Sequence, residues 1–228
     1  MQGHGIRRFA RLVAVATVVA CGGETEEAAP REAPNPLFFP KRLTETAPDN
    51  FRVHLETTEG AVVMELHRAW SPNGVDRFYN LVTNGFYDDV RIYRVLDGFM
   101  AQFGLNGDPR INMAWRNSII VDDPVAQSNT RGRVSFAKGG PNSRTTEVFI
   151  NYRDNPALDE RGFSPIGEVV EGMEVVDGFY SAYGDGPPRG EGPYQAQAQA
   201  QGNAYFDVGF PELDQIIRAW VEEGGNSS

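Results

Sequence analysis

The chain has little of what crosslinked, metal-dependent and covalently acting proteins use. Its 228 residues include one cysteine, Cys21, and three histidines, His4, His54 and His67. A lone cysteine excludes a disulfide within the chain, and three scattered histidines are too few for a metal site. The glycine-rich segment 184–192 lacks the strand–loop–helix context of a phosphate site and is predicted to be a plain loop. The sequence therefore implies neither a metal nor a cofactor.

Positive charge is also scarce. Lys and Arg total 21 against 31 Asp and Glu, which gives a formal net charge of −10. Because nucleic-acid binding needs a basic face, nucleic acid is excluded as a partner. Hydrophobic residues make up 40% of the chain, which is enough to supply the core of one domain behind a leader.

Long hydrophobic runs are absent as well. The apolar run from Leu12 to Ala20 is too short to span a bilayer as a helix, and it ends in Val18-Val19-Ala20-Cys21. This ending resembles the lipobox of bacterial lipoproteins. The resemblance implies a signal peptide over 1–20, lipidation of Cys21, and an exported protein anchored in the cell envelope at its periplasmic face. Gly22, not aspartate, follows the cysteine, which favours the outer membrane over the inner one. An ordinary secretory signal and a single-span anchor, with Cys21 incidental, are the alternatives.

The pattern after the leader predicts a tether and one domain. Residues 21–50 are rich in glutamate, proline and small residues, which is typical of a flexible tether. Leu37-Phe38-Phe39 interrupts this segment and either docks on the domain or is a hydrophobic stretch of linker. Regular alternation begins at Phe51, so the domain is predicted over 51–222, followed by a disordered tail over 223–228.

Within the domain, the pattern predicts mainly short strands. Two alternating segments around the Glu59-Gly60 turn predict a β-hairpin, and Ser71-Pro72 to Asn84-Gly85 marks a helix. The glutamine–alanine run 195–201 is predicted to be a short helix or a solvated loop without chemistry, and Ile216, Ile217 and Trp220 indicate a final helix. Further predicted elements are strands over 86–96, 133–137, 148–151 and 166–170 and a short helix over 175–180. We therefore expect a closed eight-stranded antiparallel β-barrel capped by two helices, with a C-terminal helical extension.

Two blocks of sequence carry the functional signal. They are IYRVLDGFMAQFG at 92–104 and the segment 132–173, and they contain apolar aromatics, one conspicuous arginine and amide groups. Both resemble the cyclophilins, the peptidyl-prolyl cis–trans isomerases (EC 5.2.1.8). The matching positions are Arg94, Gly98-Phe99-Met100, Gln102, Ser135-Phe136-Ala137, Gly140-Pro141-Asn142, Phe149-Ile150, Leu158-Asp159 and Gly162-Phe163.

The resemblance implies a non-covalent mechanism centred on Arg94. An X–Pro bond rotates slowly because twisting it sacrifices amide resonance, a barrier of roughly 18–20 kcal/mol. In the twisted state the prolyl nitrogen becomes pyramidal and basic, so a fixed donor beside it stabilises that state selectively. One such contact is worth about 3–4 kcal/mol, by analogy with oxyanion donors. Taken alone, Arg94 is more typical of a strand-surface arginine in a salt bridge, and the functional interpretation depends on the neighbouring Gly98-Phe99-Met100 and Gln102.

The resemblance also implies the substrate site. Phe99, Met100, Phe149 and Leu158 are expected to form the proline pocket, although barrel core is the alternative for all four. The main chain at Lys138 is expected to bind the carbonyl before the proline, and Gln102 to position Arg94. The full set of expected substrate-binding residues is Phe99, Met100, Gln102, Ala137, Lys138, Gly139, Glu147, Phe149, Leu158 and Phe163.

One departure from the family pattern is Glu147, where the family usually has glutamine. A carboxylate lacks the N–H donors of an amide, and we expect that it pairs with Arg94 and lowers the availability of that donor. The sequence thus predicts a monomeric isomerase acting on proline-containing polypeptides of the cell envelope. The alternatives are a binding module for proline-containing peptides with little or no turnover and, more weakly, a structural envelope lipoprotein.

Overall fold

A computed structural model of the chain describes residues 1–2 and 34–222. The predicted lipidation site Cys21, nearly all of the predicted signal peptide and the predicted tail 223–228 lie outside these residues. The chain divides into two units, 1–33 and 34–228, and all elements described below belong to the second. Among the described residues, no helix has both the length and the apolar character needed to cross a bilayer.

The domain is mainly β and begins with two short 3₁₀ turns, Pro36–Phe38 and Pro40–Arg42. Its strands are β1 (Asn50–Thr57), β2 (Gly60–His67), β3 (Val90–Arg91), β4 (Arg94–Leu96), β5 (Met100–Phe103), β6 (Arg133–Phe136), β7 (Val148–Asn151), β8 (Pro165–Glu171) and β9 (Gln215–Val221). Its helices are α1 (Pro72–Thr83), α2 (Pro109–Trp115), α3 (Ala157–Glu160), α4 (Met173–Asp177), α5 (Gln195–Gln201) and α6 (Asn203–Gly209).

All the strands form one curled antiparallel sheet. Its nine strands run in the order β3-β9-β1-β2-β8-β6-β7-β5-β4. The two edge strands, β3 and β4, are joined by only Ile92 and Tyr93, so the chain brings the sheet edges together without pairing them. The expectation of a closed eight-stranded barrel was therefore wrong in strand number and in closure, because the predicted strand over 86–96 is divided into two short edge strands.

The first hairpin and helix are as the sequence predicts. Strands β1 and β2 pair in continuous register from Asn50–His67 to Thr57–Gly60. Helix α1 starts at Pro72, but the side chain of Ser71 does not cap it. Instead, the Asp123 carboxylate accepts hydrogen bonds from the Gly74 N–H at 3.0 Å and from the Ser71 hydroxyl at 2.6 Å. A carboxylate remote in sequence thus satisfies the positive end of this helix.

The predicted final helix is a strand. Residues Gln215–Val221 form β9, which pairs with β1 on one side and with β3 on the other. Ile216, Ile217 and Trp220 have helix-like spacing, but β-branched residues favour a strand, and the outer edge of β1 offers unpaired N–H and C=O groups. Pairing with that edge overrides the spacing signal. The helical part of the C-terminal extension is α5 and α6.

The described part of the predicted tether belongs to the folded unit. Leu37 is buried in the main core, and its carbonyl accepts a hydrogen bond from the Trp115 indole at 2.9 Å. The N–H groups of Glu45 and Ala47 are bound by side chains of helix α1. Residues 34–50 are therefore packed on the domain rather than forming a linker, and Leu37 docks as one of the two sequence interpretations expected.

Candidate functional site

An apolar pocket lies apart from the main core. Met100 on β5, Phe149 on β7 and Leu158 on α3 are buried together in a cluster of their own. Leu96, Phe99, Ala137 and Phe163 are partly buried against them. These seven residues are called the apolar pocket below. Because the cluster is separate from the core, it does not fit the alternative that Phe99, Met100, Phe149 and Leu158 are barrel core.

Arg94 stands beside this pocket because of strand register. Arg94 on β4 lies directly opposite Gln102 on β5, which places both side chains on the same face of the sheet. The Arg94 Nη1 group donates to Gln102 Oε1 at 2.9 Å. The expected role of Gln102 in positioning Arg94 therefore matches the geometry of the pair.

The charge partner of Arg94 is Asp185, which sequence reasoning missed. Arg94 donates from Nε to Asp185 Oδ1 at 2.7 Å and from Nη2 to Oδ2 at 3.3 Å. Asp185 Oδ2 also pairs with Arg189 Nε at 2.7 Å. The hydrogen bond from Arg94 holds the pKa of the Asp185 carboxyl below its ordinary value, so the group is ionised at neutral pH. Asp185 lies in the segment 184–192, for which the sequence predicts a plain loop.

Glu147 does not pair with Arg94, contrary to expectation. Its Oε2 accepts hydrogen bonds from the Tyr93 hydroxyl and from Gln102 Nε2, the latter at 2.8 Å. Its Oε1 accepts from Gln195 Nε2 at 2.6 Å. The carboxylate is buried and surrounded by neutral donors, and among the described residues its hydrogen-bonded connection to Arg94 runs through Gln102. Four side chains, those of Tyr93, Gln102, Asp185 and Gln195, hold Arg94 and the Glu147 carboxylate in place. These six residues are called the polar wall below.

Burial sets the protonation of the polar wall. Desolvation raises the pKa of the Glu147 carboxyl above its ordinary value, although hydrogen bonds from Tyr93, Gln195 and Gln102 oppose the shift. Desolvation and the adjacent Glu147 raise the pKa of the Tyr93 phenol well above its ordinary value. Tyr93 therefore keeps its proton and remains a hydrogen-bond donor.

The side chain of Lys138 forms two hydrogen bonds, whereas no hydrogen bond of its main chain is recorded among the described residues. The ammonium donates to Asp122 Oδ2 at 2.8 Å and to the Gly162 carbonyl at 2.7 Å, and the side chain is buried. Within residues 34–222, the structure records no hydrogen bond for the main-chain N–H or C=O of Lys138. Among the described residues, these two groups are therefore not committed to a partner.

All the predicted catalytic and substrate-binding residues line one cavity of about 660 Å³. They are Arg94, Phe99, Met100, Gln102, Ala137, Lys138, Gly139, Glu147, Phe149, Leu158 and Phe163. The lining also includes residues that the sequence analysis did not assign, among them Asp185, Gln195 and Gln199. The spacing of Gln195 and Gln199 places them on one face of α5, which was the available signal. For Asp185 no local pattern gives a signal.

Comparisons with known proteins agree with this geometry. A sequence profile described as "Cyclophilin type peptidyl-prolyl cis-trans isomerase/CLD" matches residues 52–195. A peptidyl-prolyl cis-trans isomerase of Acinetobacter baylyi is 32% identical over 56% of this chain and 71% of that protein. Peptidyl-prolyl cis-trans isomerase A of Dickeya dadantii is 33% identical over 55% of this chain and 68% of that protein.

The fold is also found among solved structures. A crystal structure of a cyclophilin-type isomerase from Cryptosporidium parvum superposes with a TM-score of 0.56 at 19% identity, covering 77% of this chain and 99% of that one. A second structure of that protein, determined in the presence of the dipeptide Ala-Pro, gives a TM-score of 0.54 at 19% identity, covering 75% and 99%.

Proposed function

The chain belongs to the cyclophilin-type peptidyl-prolyl cis–trans isomerases, and on that premise we propose that it catalyses rotation about X–Pro bonds with Arg94 as the donor to the prolyl nitrogen. The observation that carries this proposal is that Arg94 and the apolar pocket share one cavity. A pyrrolidine ring needs an apolar, preformed site, and the twisted amide needs a fixed donor next to it. The cavity supplies both.

The donor capacity of Arg94 supports this role. A guanidinium has five N–H donors. Two of them are bound by Asp185 and one by Gln102, which leaves one N–H on each terminal nitrogen. The guanidinium is thus fixed on one side and still able to donate to a substrate in the cavity.

Main-chain groups provide the second substrate contact. The N–H and C=O of Lys138, which have no hydrogen-bond partner among residues 34–222, are suited to the carbonyl and amide of the residue before the proline. If Lys138 holds the residue before the proline and the apolar pocket holds the proline ring, the main motion left to the substrate is rotation about the X–Pro bond. Catalysis then depends on binding the twisted form more tightly than either planar form.

The proposal is tested by NMR exchange spectroscopy on a short X–Pro peptide with residues 34–228 of the chain. We expect that the wild-type protein accelerates exchange between the cis and trans signals and that Arg94→Ala reduces the acceleration by about 10²–10³-fold. The matched control is Arg91→Ala on β3, because Arg91 pairs with Asp89 and Asp207 outside the cavity. An Arg94→Ala protein as active as the wild type would refute Arg94 as the donor.

The second candidate function is a binding module for proline-containing peptides. It is favoured by the ion pair between Arg94 and Asp185, because that pair already engages two of the N–H groups of the donor. In that case the peptide signals shift on addition of wild-type protein, but exchange is not accelerated. The same experiment therefore separates the two functions.

We propose further that the protein is lipid-anchored in the bacterial cell envelope and acts there on proline-containing segments of other envelope proteins. The support is the lipobox-like ending of the leader at Cys21. Mass spectrometry of the mature protein from the native host tests this. We expect an N-terminal residue 21 carrying acyl chains, and a soluble exported protein in Cys21→Ser; an unmodified Cys21 in the wild type would refute the anchor.

A further inference from the structure

We propose that Asp185 is a positioning residue of this isomerase, holding the Arg94 guanidinium in the orientation in which its two remaining N–H groups face the substrate. The proposal rests on the proposed function of Arg94 as the donor to the prolyl nitrogen. It assigns a role in the reaction to the segment 184–192, which lies outside both motif blocks of the sequence.

The geometry of the pair is that of a fixed clamp. Two N–H groups of Arg94 engage both oxygens of Asp185, an arrangement that defines the plane of the guanidinium as well as its distance. The side chains are only 20% and 15% exposed, so water screens the pair weakly. Gln102 alone, with one hydrogen bond, would leave the guanidinium free to rotate.

Hydrogen bonds and close backbone packing fix the position of Asp185 within its loop. The Asp185 carboxylate accepts a further hydrogen bond from the Gly186 N–H at 3.0 Å, and its carbonyl accepts one from the Gly192 N–H at 2.9 Å. A Cβ atom at Gly190 would clash with that same carbonyl, and one at Gly186 would clash with the carbonyl of Pro193. The glycines therefore permit close backbone packing, which explains the composition of a segment that resembles an ordinary flexible loop.

The second cation on Asp185 preserves the charge of the site. A single arginine–aspartate pair is neutral and would weaken the attraction between the donor and the developing lone pair of the prolyl nitrogen. Because Arg189 also binds Asp185, two arginines share one carboxylate and the group keeps a net positive charge. Asp185 can thus orient Arg94 without cancelling its charge.

The test compares Asp185→Asn, Asp185→Glu and the wild type in NMR exchange and in peptide titration. We expect that Asp185→Asn lowers catalysed exchange by about tenfold or more, since small misplacements of a reacting group cost up to about a hundredfold. The peptide Kd should change by less than about twofold, because the apolar pocket and Lys138 are intact. Asp185→Glu, which keeps a carboxylate, should recover part of the loss. The matched control is Asp177→Asn, which breaks a two-pronged pair with Arg131 elsewhere on the domain.

Two further measurements separate positioning from a merely structural role. In an Arg94→Gln background, Asp185→Asn should change the residual exchange by less than about twofold, because the two residues act as one unit. The Nε–H signal of Arg94 in proton–nitrogen spectra should move and broaden in Asp185→Asn and stay in place in Asp177→Asn.

The outcomes are distinguishable. A wild type that catalyses exchange, with Asp185→Asn equally fast, would overturn the role of Asp185 and leave the proposed function standing. Faster exchange in Asp185→Asn would overturn it too, by showing that the pair restrains Arg94. An equal loss in both backgrounds would indicate structural damage and would likewise overturn it. A wild type without any acceleration would refute the proposed function and this inference together.

Discussion

The apolar pocket and the polar wall of the cavity differ in how far apart their residues lie in the sequence. The apolar pocket is made from residues within 96–163, and all its members are hydrophobic residues that lie in the two motif blocks. The polar wall joins Arg94 to Asp185, 91 residues away, and Glu147 to Gln195, 48 residues away. The difference shows that the role of a hydrophobic side chain can be inferred largely from its residue type. The role of a charged side chain depends on its partner, which can be far away in the sequence.

Truncating a side chain of the apolar pocket is expected to cost the most stability. Phe149 on β7 is buried and lies edge to face with Phe163, with ring centroids 5.8 Å apart. We expect Phe149→Ala to lower the free energy of unfolding by about 3–5 kcal/mol and to weaken peptide binding, because it leaves a void and removes the ring contact. Urea denaturation and peptide titration measure the two effects. Phe149→Leu is the control, and it should retain most of both; an Ala variant as stable as the Leu variant would contradict the prediction.

The same contrast between local signals and distant partners explains how much of the fold and of the site could be predicted from the sequence. The hairpin of β1 and β2, helix α1 and the apolar pocket follow from patterns or motifs that act over a few residues. The pairing of β9 with β1 was missed because helix-like spacing of Ile216, Ile217 and Trp220 is a local signal, while the open edge of β1 is a property of the whole sheet. For the same reason, Glu147 was expected to pair with Arg94, because its hydrogen bond to Gln195 on α5 is invisible in the sequence around either residue.

A smaller effect is expected from removing one hydroxyl of the polar wall. The Tyr93 hydroxyl donates to Glu147 and accepts from Gln102 Nε2 at 2.6 Å, and both partners are buried. We expect Tyr93→Phe to lower the free energy of unfolding by about 1–3 kcal/mol, because it leaves buried polar groups short of a partner. The control is Tyr79→Phe, since no hydrogen bond of the Tyr79 hydroxyl is recorded among the described residues. Equal stability of the two variants in thermal or urea denaturation would argue against this network.

The stability of the domain is expected to depend on pH through Glu147. The pKa of Glu147 is raised from 4.5 in the folded protein, so the folded state holds a proton that the unfolded chain releases first. The stabilisation from the protonated group is fully present below pH 4.5 and is lost as the pH rises through the raised pKa. We therefore expect Glu147→Gln to gain in stability relative to the wild type over that interval and then to stay at a constant difference. Denaturation at a series of pH values measures this, with exposed Glu56→Gln as the control; parallel curves for Glu147→Gln and the wild type would contradict it.

The smallest effect is expected at the outer end of the polar wall. Gln195 is exposed and donates to Glu147 at 2.6 Å, so its hydrogen bond lowers the carboxyl pKa against the larger effect of burial. We expect Gln195→Ala to raise the pKa of Glu147 further while lowering the free energy of unfolding by no more than about 1 kcal/mol. Carbon NMR of the Glu147 carboxyl, assigned by its loss in Glu147→Gln, reports the pKa directly. Gln197→Ala on the same helix is the control, because Gln197 is exposed and two residues further round α5. A shift of the pKa in Gln195→Ala but not in Gln197→Ala would show that the Gln195 side chain contributes to the polar wall, and no shift in either would argue against its hydrogen bond to Glu147.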